Sequence, residues 1–144
     1  MIERYSRKEI KNIWDDYNKY TIWLEIELAA AEAMEKFRLI PKGVVKKVKS
    51  KARINVNRIL KIEEKVKHDV IAFLTSITEK AGKEAKYLHK GMTSSDVLDT
   101  CFNLQLKQSG DILLKDIDEL LKSIKAQAVK HKYTLCIGLS LIHI

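Results

Sequence analysis

The stretch that follows Thr93 constrains the fold more than any other part of the chain. Thr93-Ser94-Ser95-Asp96 supplies hydroxyls and an early carboxylate, the make-up of a strong helix start. Leu106, Leu113 and Leu120 then recur at every seventh position, with Ile117 and Ile124 on the neighbouring line. A helix from there to about His131 measures roughly 57 Å at about 1.5 Å per residue. So small a domain cannot cover it. Its wide apolar stripe calls for a helical bundle, formed with the chain itself or with partner chains. A domain boundary is therefore expected at Thr93.

The rest of the chain is helical in character too. One proline, Pro41, and five glycines in 144 residues leave little punctuation for a many-turned β-fold. Hydrophobic residues at 46% and charged residues at 32% allow a core and argue against disorder. The expected fold class is all-α. Ser6 and Glu9 have the spacing of a capping box, so a first short helix should begin near Arg7. Trp23, Ile26, Ala30, Ala33 and Phe37 fall on one face of a second helix ending near Arg38. Pro41 suits the first turn of a third, with Val44, Val45 and Val48 on its apolar side. Asn55 or Asn57 caps a fourth, carrying Ile59, Leu60 and Ile62. The apolar pattern resumes through Val70, Ile71, Phe73, Leu74 and Ile77 until Gly82 stops it. Residues 83–92 read as a loop with a short turn.

The formal net charge of +8 favours an anionic partner: nucleic acid, an acidic membrane or a phosphorylated metabolite. The lysines are dispersed along helical stretches, which on charge alone suits a solvated surface better, and charge does not identify the partner. Cys101 and Cys136 are far apart, with no Cys or His at metal-ligand spacing, so no metal site is expected and reduced thiols are. Met1-Ile2-Glu3-Arg4-Tyr5 carries charges where a leader needs apolar residues, and no window reaches the length of a membrane span. The expected location is the cytoplasm, with no membrane partner.

Three places bear chemistry. Lys67-His68-Asp69 sits at the break between two apolar runs and joins a group that titrates near neutrality to a carboxylate able to orient it. It also reads as a hydrogen-bonded packing histidine. His89-Lys90-Gly91-Met92-Thr93-Ser94 runs a glycine-containing loop into a helix start, where unpaired N–H groups and hydroxyls can hold a carboxylate or phosphate. Plain capping by the same groups is the alternative. Arg4-Tyr5 offers a guanidinium for phosphate and a ring for stacking, on an otherwise uninformative N-terminus.

Taken in order, these segments resemble the adenylosuccinate lyases of the fumarase/aspartase superfamily. The likeness runs through Met1 to Ser6, Ile40-Pro41, Asn57 to Leu60 and His68 to Phe73. It continues through His89 to Thr100, similar to the family's first signature block, and from Leu114-Lys115-Asp116 to Gly138. The resemblance implies elimination of fumarate from adenylosuccinate, leaving AMP, and from the succinyl-carboxamide ribonucleotide of purine biosynthesis. It implies no cofactor, purine-nucleotide substrates, no nucleic-acid partner, and a homotetramer whose active sites draw on three subunits. Carried over residue by residue, Arg4 and Tyr5 match positions that contact the nucleotide. Lys67, His68 and Asp69 match a substrate-binding segment usually written Arg or Thr, His, Asp; His68 is an auxiliary catalytic candidate. Thr93 and Ser94 match substrate contacts, and His89 is a candidate for the phosphate side. The cap at Thr93 and the imidazole of His68 are expected to meet around the substrate.

On this reading residues 1–93 are an N-terminal helical domain and 94–138 the first long helix of the central bundle. Residues 139–144 depart from the family's pattern. The family's catalytic histidine would fall at position 141, which is Leu141 here, and His143 stands two places late. The chain is therefore expected to be a truncated portion without a complete site. Two other classes compete with the lyase: a basic helical nucleic-acid binder, and a small helical assembly protein built on the helix after Thr93.

Overall fold

The computed structural model describes residues 3–137. Among them there are six α-helices, two 3₁₀ segments and no strand, as the sparse punctuation requires. The tail at 139–144, with Leu141 and His143, lies outside the described residues, as does Gly138. Among the described residues no helix is long and apolar enough to cross a membrane.

After a 3₁₀ turn at Glu3–Tyr5 come α1 (Lys8–Ile13), α2 (Asp16–Lys36), α3 (Val44–Lys51), α4 (Val56–Val66) and α5 (Asp69–Ala81). A 3₁₀ segment at Gly82–Tyr87 leads to α6 (Ser94–His131). The chain divides into two compact units, Met1–Ser109 and Gly110–Ile144. The helix start at Thr93-Ser94 thus precedes the division of packing. The first turns of α6 bury Val97, Cys101 and Gln105 within the first unit.

The core of that unit is built on α2 and α5. Tyr20, Trp23 and Phe73 are almost wholly buried. Tyr20 stacks on Phe73 at 5.9 Å, while Trp23 meets both rings edge-on at 5.2 and 5.5 Å. Such pairs each contribute about 0.5–1.5 kcal/mol beyond the area they bury. Ile59 and Ile62 of α4, Val44 and Val48 of α3, and Val70, Ala72 and Ile77 of α5 complete the cluster.

Several local expectations need correction. The N-cap of α1 is Arg7 rather than Ser6, and its side chain makes no cap hydrogen bond. The buried line on α2 is Tyr20, Trp23, Glu27 and Ala31; Ala33 is exposed and Phe37 is 77% exposed. The apolar count slid round the helix because it passed over a carboxylate that belongs to the inner stripe. Pro41 lies outside α3, whose N-cap is Gly43 in the left-handed region. The Glu35 carboxylate accepts from Gly43 N–H at 3.1 Å and Val45 N–H at 2.7 Å, doing the capping work a local side chain would do. Of the two asparagines expected as the cap of α4, Asn55 is the one that serves, its Oδ1 accepting from Arg58 N–H at 3.0 Å. Gly82 ends α5 with φ 76° and ψ −155°, a region open essentially to glycine alone.

In the second unit the leucine stripe is uncovered. Leu113, Ile117, Leu120 and Ile124 are each more than half exposed.

Replacing Phe73 by alanine is expected to cost about 3–5 kcal/mol in urea unfolding, whereas Phe37→Ala should stay within about 0.5 kcal/mol of the parent. Burial pushes the Cys101 thiol above its ordinary value of 9.0, with the Trp23 indole and the Lys19 charge offsetting only part of that. A thiol pKa raised by folding contributes stability that is full below the ordinary value and is lost as pH rises through the folded one. In mildly alkaline solution iodoacetamide should therefore label exposed Cys136 at once and Cys101 only on unfolding. Equal labelling rates in the folded chain would contradict this account.

Candidate functional site

The turn between α4 and α5 is made by two unusual residues. Lys67 takes the left-handed conformation, φ 54° and ψ 33°, and its N–H closes α4 on the carbonyl of Glu63 at 2.8 Å. That reversal delivers His68 in extended backbone as the N-cap of α5. Its Nδ1 accepts from the N–H of Ile71 at 3.4 Å and lies 3.4 Å from Oδ1 of Asp69. One nitrogen cannot accept from the amide and donate to the carboxylate at once. As the cap acceptor, Nδ1 is bare and the ring proton sits on Nε2, which has no partner among the described residues. Asp69 meanwhile accepts from Val70 N–H at 2.7 Å, which holds its carboxylate at the positive end of α5. The imidazole is about half exposed, with a free nitrogen for proton transfer or a ligand.

A shallow depression adjoins this turn, lined by Leu60, Glu63, Glu64 and Lys67. Two carboxylates beside one ammonium make it a poor receptor for an anion.

The second constellation divides differently from its sequence pattern. His89 is left-handed at φ 57°, and its ring turns inward: Nδ1 lies 2.7 Å from Oε1 of Glu27, whose Oε2 accepts the His89 N–H at 2.6 Å. Lys90 reaches the carbonyl of Leu39 at 3.2 Å. Gly91, with φ 71°, turns the chain towards α6. At the helix start the capping is done by Asp96, whose Oδ2 accepts Thr93 N–H at 2.8 Å while its own N–H donates to the Thr93 carbonyl at 3.1 Å. Plain capping by hydroxyls is thus not what is found. Among the described residues the hydroxyls of Thr93 and Ser94 engage no partner, and neither do the N–H groups of Ser94 and Ser95. Free donors at the positive end of a long helix suit an anionic oxygen.

Arg4 and Tyr5 contact each other, the guanidinium 4.8 Å from the centre of a ring that is 75% exposed. Among the described residues no hydrogen bond, ion pair or ring contact joins Arg4 or Tyr5, His68 or Asp69, and Thr93 or Ser94 to one another. No group of three or more His, Cys, Asp or Glu among the described residues is arranged to hold a metal ion.

Sequence reading missed Glu27. The signal was available: a carboxylate four residues after Trp23 and four before Ala31, in line with a buried stripe.

Residues 4–140 match the family model described as lyase. Over 138 residues the chain is 47% identical to the adenylosuccinate lyase of Bacillus subtilis strain 168, an alignment that spans 96% of this chain and 32% of that enzyme. A crystal structure of a fumarate lyase from Mesorhizobium sp. BNC1 superposes with a TM-score of 0.86 at 22% identity, over 96% of this chain and 34% of that one. The second likeness speaks for the fold. The chain spans about a third of the length of these relatives. With the family model matched from the N-terminal 3₁₀ turn to beyond α6, this chain belongs to the lyase family.

Proposed function

We propose that residues 1–138 are the N-terminal portion of an adenylosuccinate lyase, a C–N lyase that eliminates fumarate from adenylosuccinate to leave AMP. The earlier succinyl-carboxamide ribonucleotide of purine biosynthesis is the second substrate. The carrying observation is the high identity to one such enzyme across nearly the whole chain. In this reading residues 1–93 form the N-terminal helical domain and 94–138 open the central bundle. The enzyme is a cytoplasmic homotetramer that binds neither nucleic acid nor membrane. The open leucine stripe of α6 supports the bundle, since an apolar face of that extent calls for partner helices.

The elimination removes a proton from the carbon beside a carboxylate while the leaving amine is protonated. Negative charge then builds on that carboxylate. Donors fixed in advance stabilise it more than they stabilise the starting acid. Thr93 and Ser94 supply unengaged hydroxyls, and the amides of Ser94 and Ser95 add the helix's positive end. His68, with Nδ1 committed to the cap, presents Nε2 for proton transfer or for orienting the substrate. Arg4 and Tyr5 serve the nucleotide, Lys67 and Asp69 flank the succinyl group, and His89 serves the phosphate. In this reading complementary subunits join these residues into complete active sites. The chain alone is incomplete.

Fumarate formation from adenylosuccinate by the 144-residue chain should therefore stay at background. Residues 1–138 joined to the remaining two-thirds of the Bacillus subtilis enzyme should release fumarate. His68→Ala in that chimera should lower kcat by about 100-fold or more, the scale of a lost proton-transfer group. An inert chimera that assembles normally, or one indifferent to His68, would count against the assignment. Ser94→Ala should impair turnover in the chimera without lowering its unfolding midpoint, because the hydroxyl makes no internal bond. A change confined to stability would return Ser94 to a packing role.

A further inference from the structure

We propose that Glu27 is a positioning residue for His89: its buried carboxylate accepts both the main-chain N–H and the Nδ1–H of that residue, leaving Nε2 as the nitrogen offered to an anionic ligand. The inference rests on the reading of His89 as the phosphate-side contact and extends it to the residue behind. Glu27 has no exposed side-chain surface, whereas His89 keeps 19% of its own. Both carboxylate oxygens go to His89, at 2.6 and 2.7 Å, across 62 residues of sequence. Among the described residues no other cation lies within ion-pair distance of Glu27, and neighbouring Lys90 is committed to the carbonyl of Leu39.

Position 27 lies in the apolar stripe of α2, between Trp23 and Ala31. For packing alone a leucine or methionine serves there at least as well, because a buried ion pair is a weak source of stability. What a carboxylate adds is orientation. An ionised carboxylate only accepts, so the ring nitrogen facing it carries hydrogen, which fixes the ring's plane and its protonated edge. The second bond secures the left-handed backbone of His89, a conformation that a non-glycine residue holds only when its surroundings enforce it. Among the described residues Nε2 has no hydrogen-bond partner. Glutamate suits this arrangement because each of its oxygens takes one donor; a carboxamide would turn an NH₂ towards one of them, and aspartate is one methylene short.

The test is nitrogen NMR of the complete chain labelled with ¹⁵N-histidine, with inorganic phosphate as probe. In the parent chain the Nδ1 of His89 should bear a proton and Nε2 should shift on phosphate addition. Glu27→Gln should let the ring exchange between tautomers and weaken the phosphate response by about tenfold, the scale of losing an orienting partner behind a ligand-bearing histidine. Its helical circular dichroism should be unchanged, and His68→Gln should leave the His89 signals as they were. A bare Nδ1 in the parent, or a folded Glu27→Gln chain with the ring state intact, would overturn the proposal. Should Glu27→Gln fail to fold, the parent's Nδ1 resonance decides by itself. A protonated Nδ1 with no phosphate shift would remove His89 from the phosphate side and leave the hold of Glu27 standing.

Discussion

The meeting of α2 with α5 through Tyr20, Trp23 and Phe73 is the contact on which the remaining arrangement rests. Three large rings packed at 5.2–5.9 Å exclude water from the centre of the first compact unit and set the distance between the two helices. Every candidate contact except the N-terminal pair hangs from that frame. Val70, directly after the His68-Asp69 turn, is fully buried in the same cluster, so the cap of α5 cannot drift from its place. Val97 and Cys101 seat the beginning of α6 in the same core and fix the direction in which the Thr93-Ser94 donors point. A well-packed interior passes its geometry to the surface groups that grow out of it.

The long α2 also acts through its carboxylates. Glu27 and Glu35, eight residues apart, each collect two hydrogen bonds from a segment outside their own helix: His89 in one case, the start of α3 in the other. Backbone donors at turns and helix starts need acceptors, and a side chain fixed to a long helix can supply them where no local serine or aspartate stands. The same economy appears at the end of α1, where the carbonyl of Ile13 accepts from Gln105 at 2.7 Å and from Asn18 at 2.8 Å.

What could be read from the letters alone followed from period and punctuation. The long helix after Thr93, the cap at Asn55 and the stop at Gly82 all rest on interactions within a few residues, which a local pattern records. The class of the fold followed from the same signals. The less legible features depend on partners in other elements of the fold. Glu27 looks like an ordinary charged helical residue until His89 is found beside it. The start of α3 looks like proline's place until Glu35 is seen reaching across to it. The inner face of α2 was misassigned for the same reason, since Ala33 and Phe37 offered apolar character where the helix in fact turns a carboxylate inward. Ordered blocks shared with a family pointed to the lyases. Periodicity could not have done so, and the free hydroxyls of Thr93 and Ser94 became visible only once Asp96 was found holding the cap.

The uncovered leucines and isoleucines of α6 bear on how the chain's folding can be measured. A helix with successive turns of aliphatic side chain facing water gains little from its own compact unit and would gain more from a partner helix covering that face. Whatever joins it binds the helical form and not the extended one, so assembly adds to the free energy of folding by mass action. Were such a partner to dock, secondary structure and association in this segment would form one equilibrium, and an unfolding midpoint would acquire meaning only with the protomer concentration stated beside it.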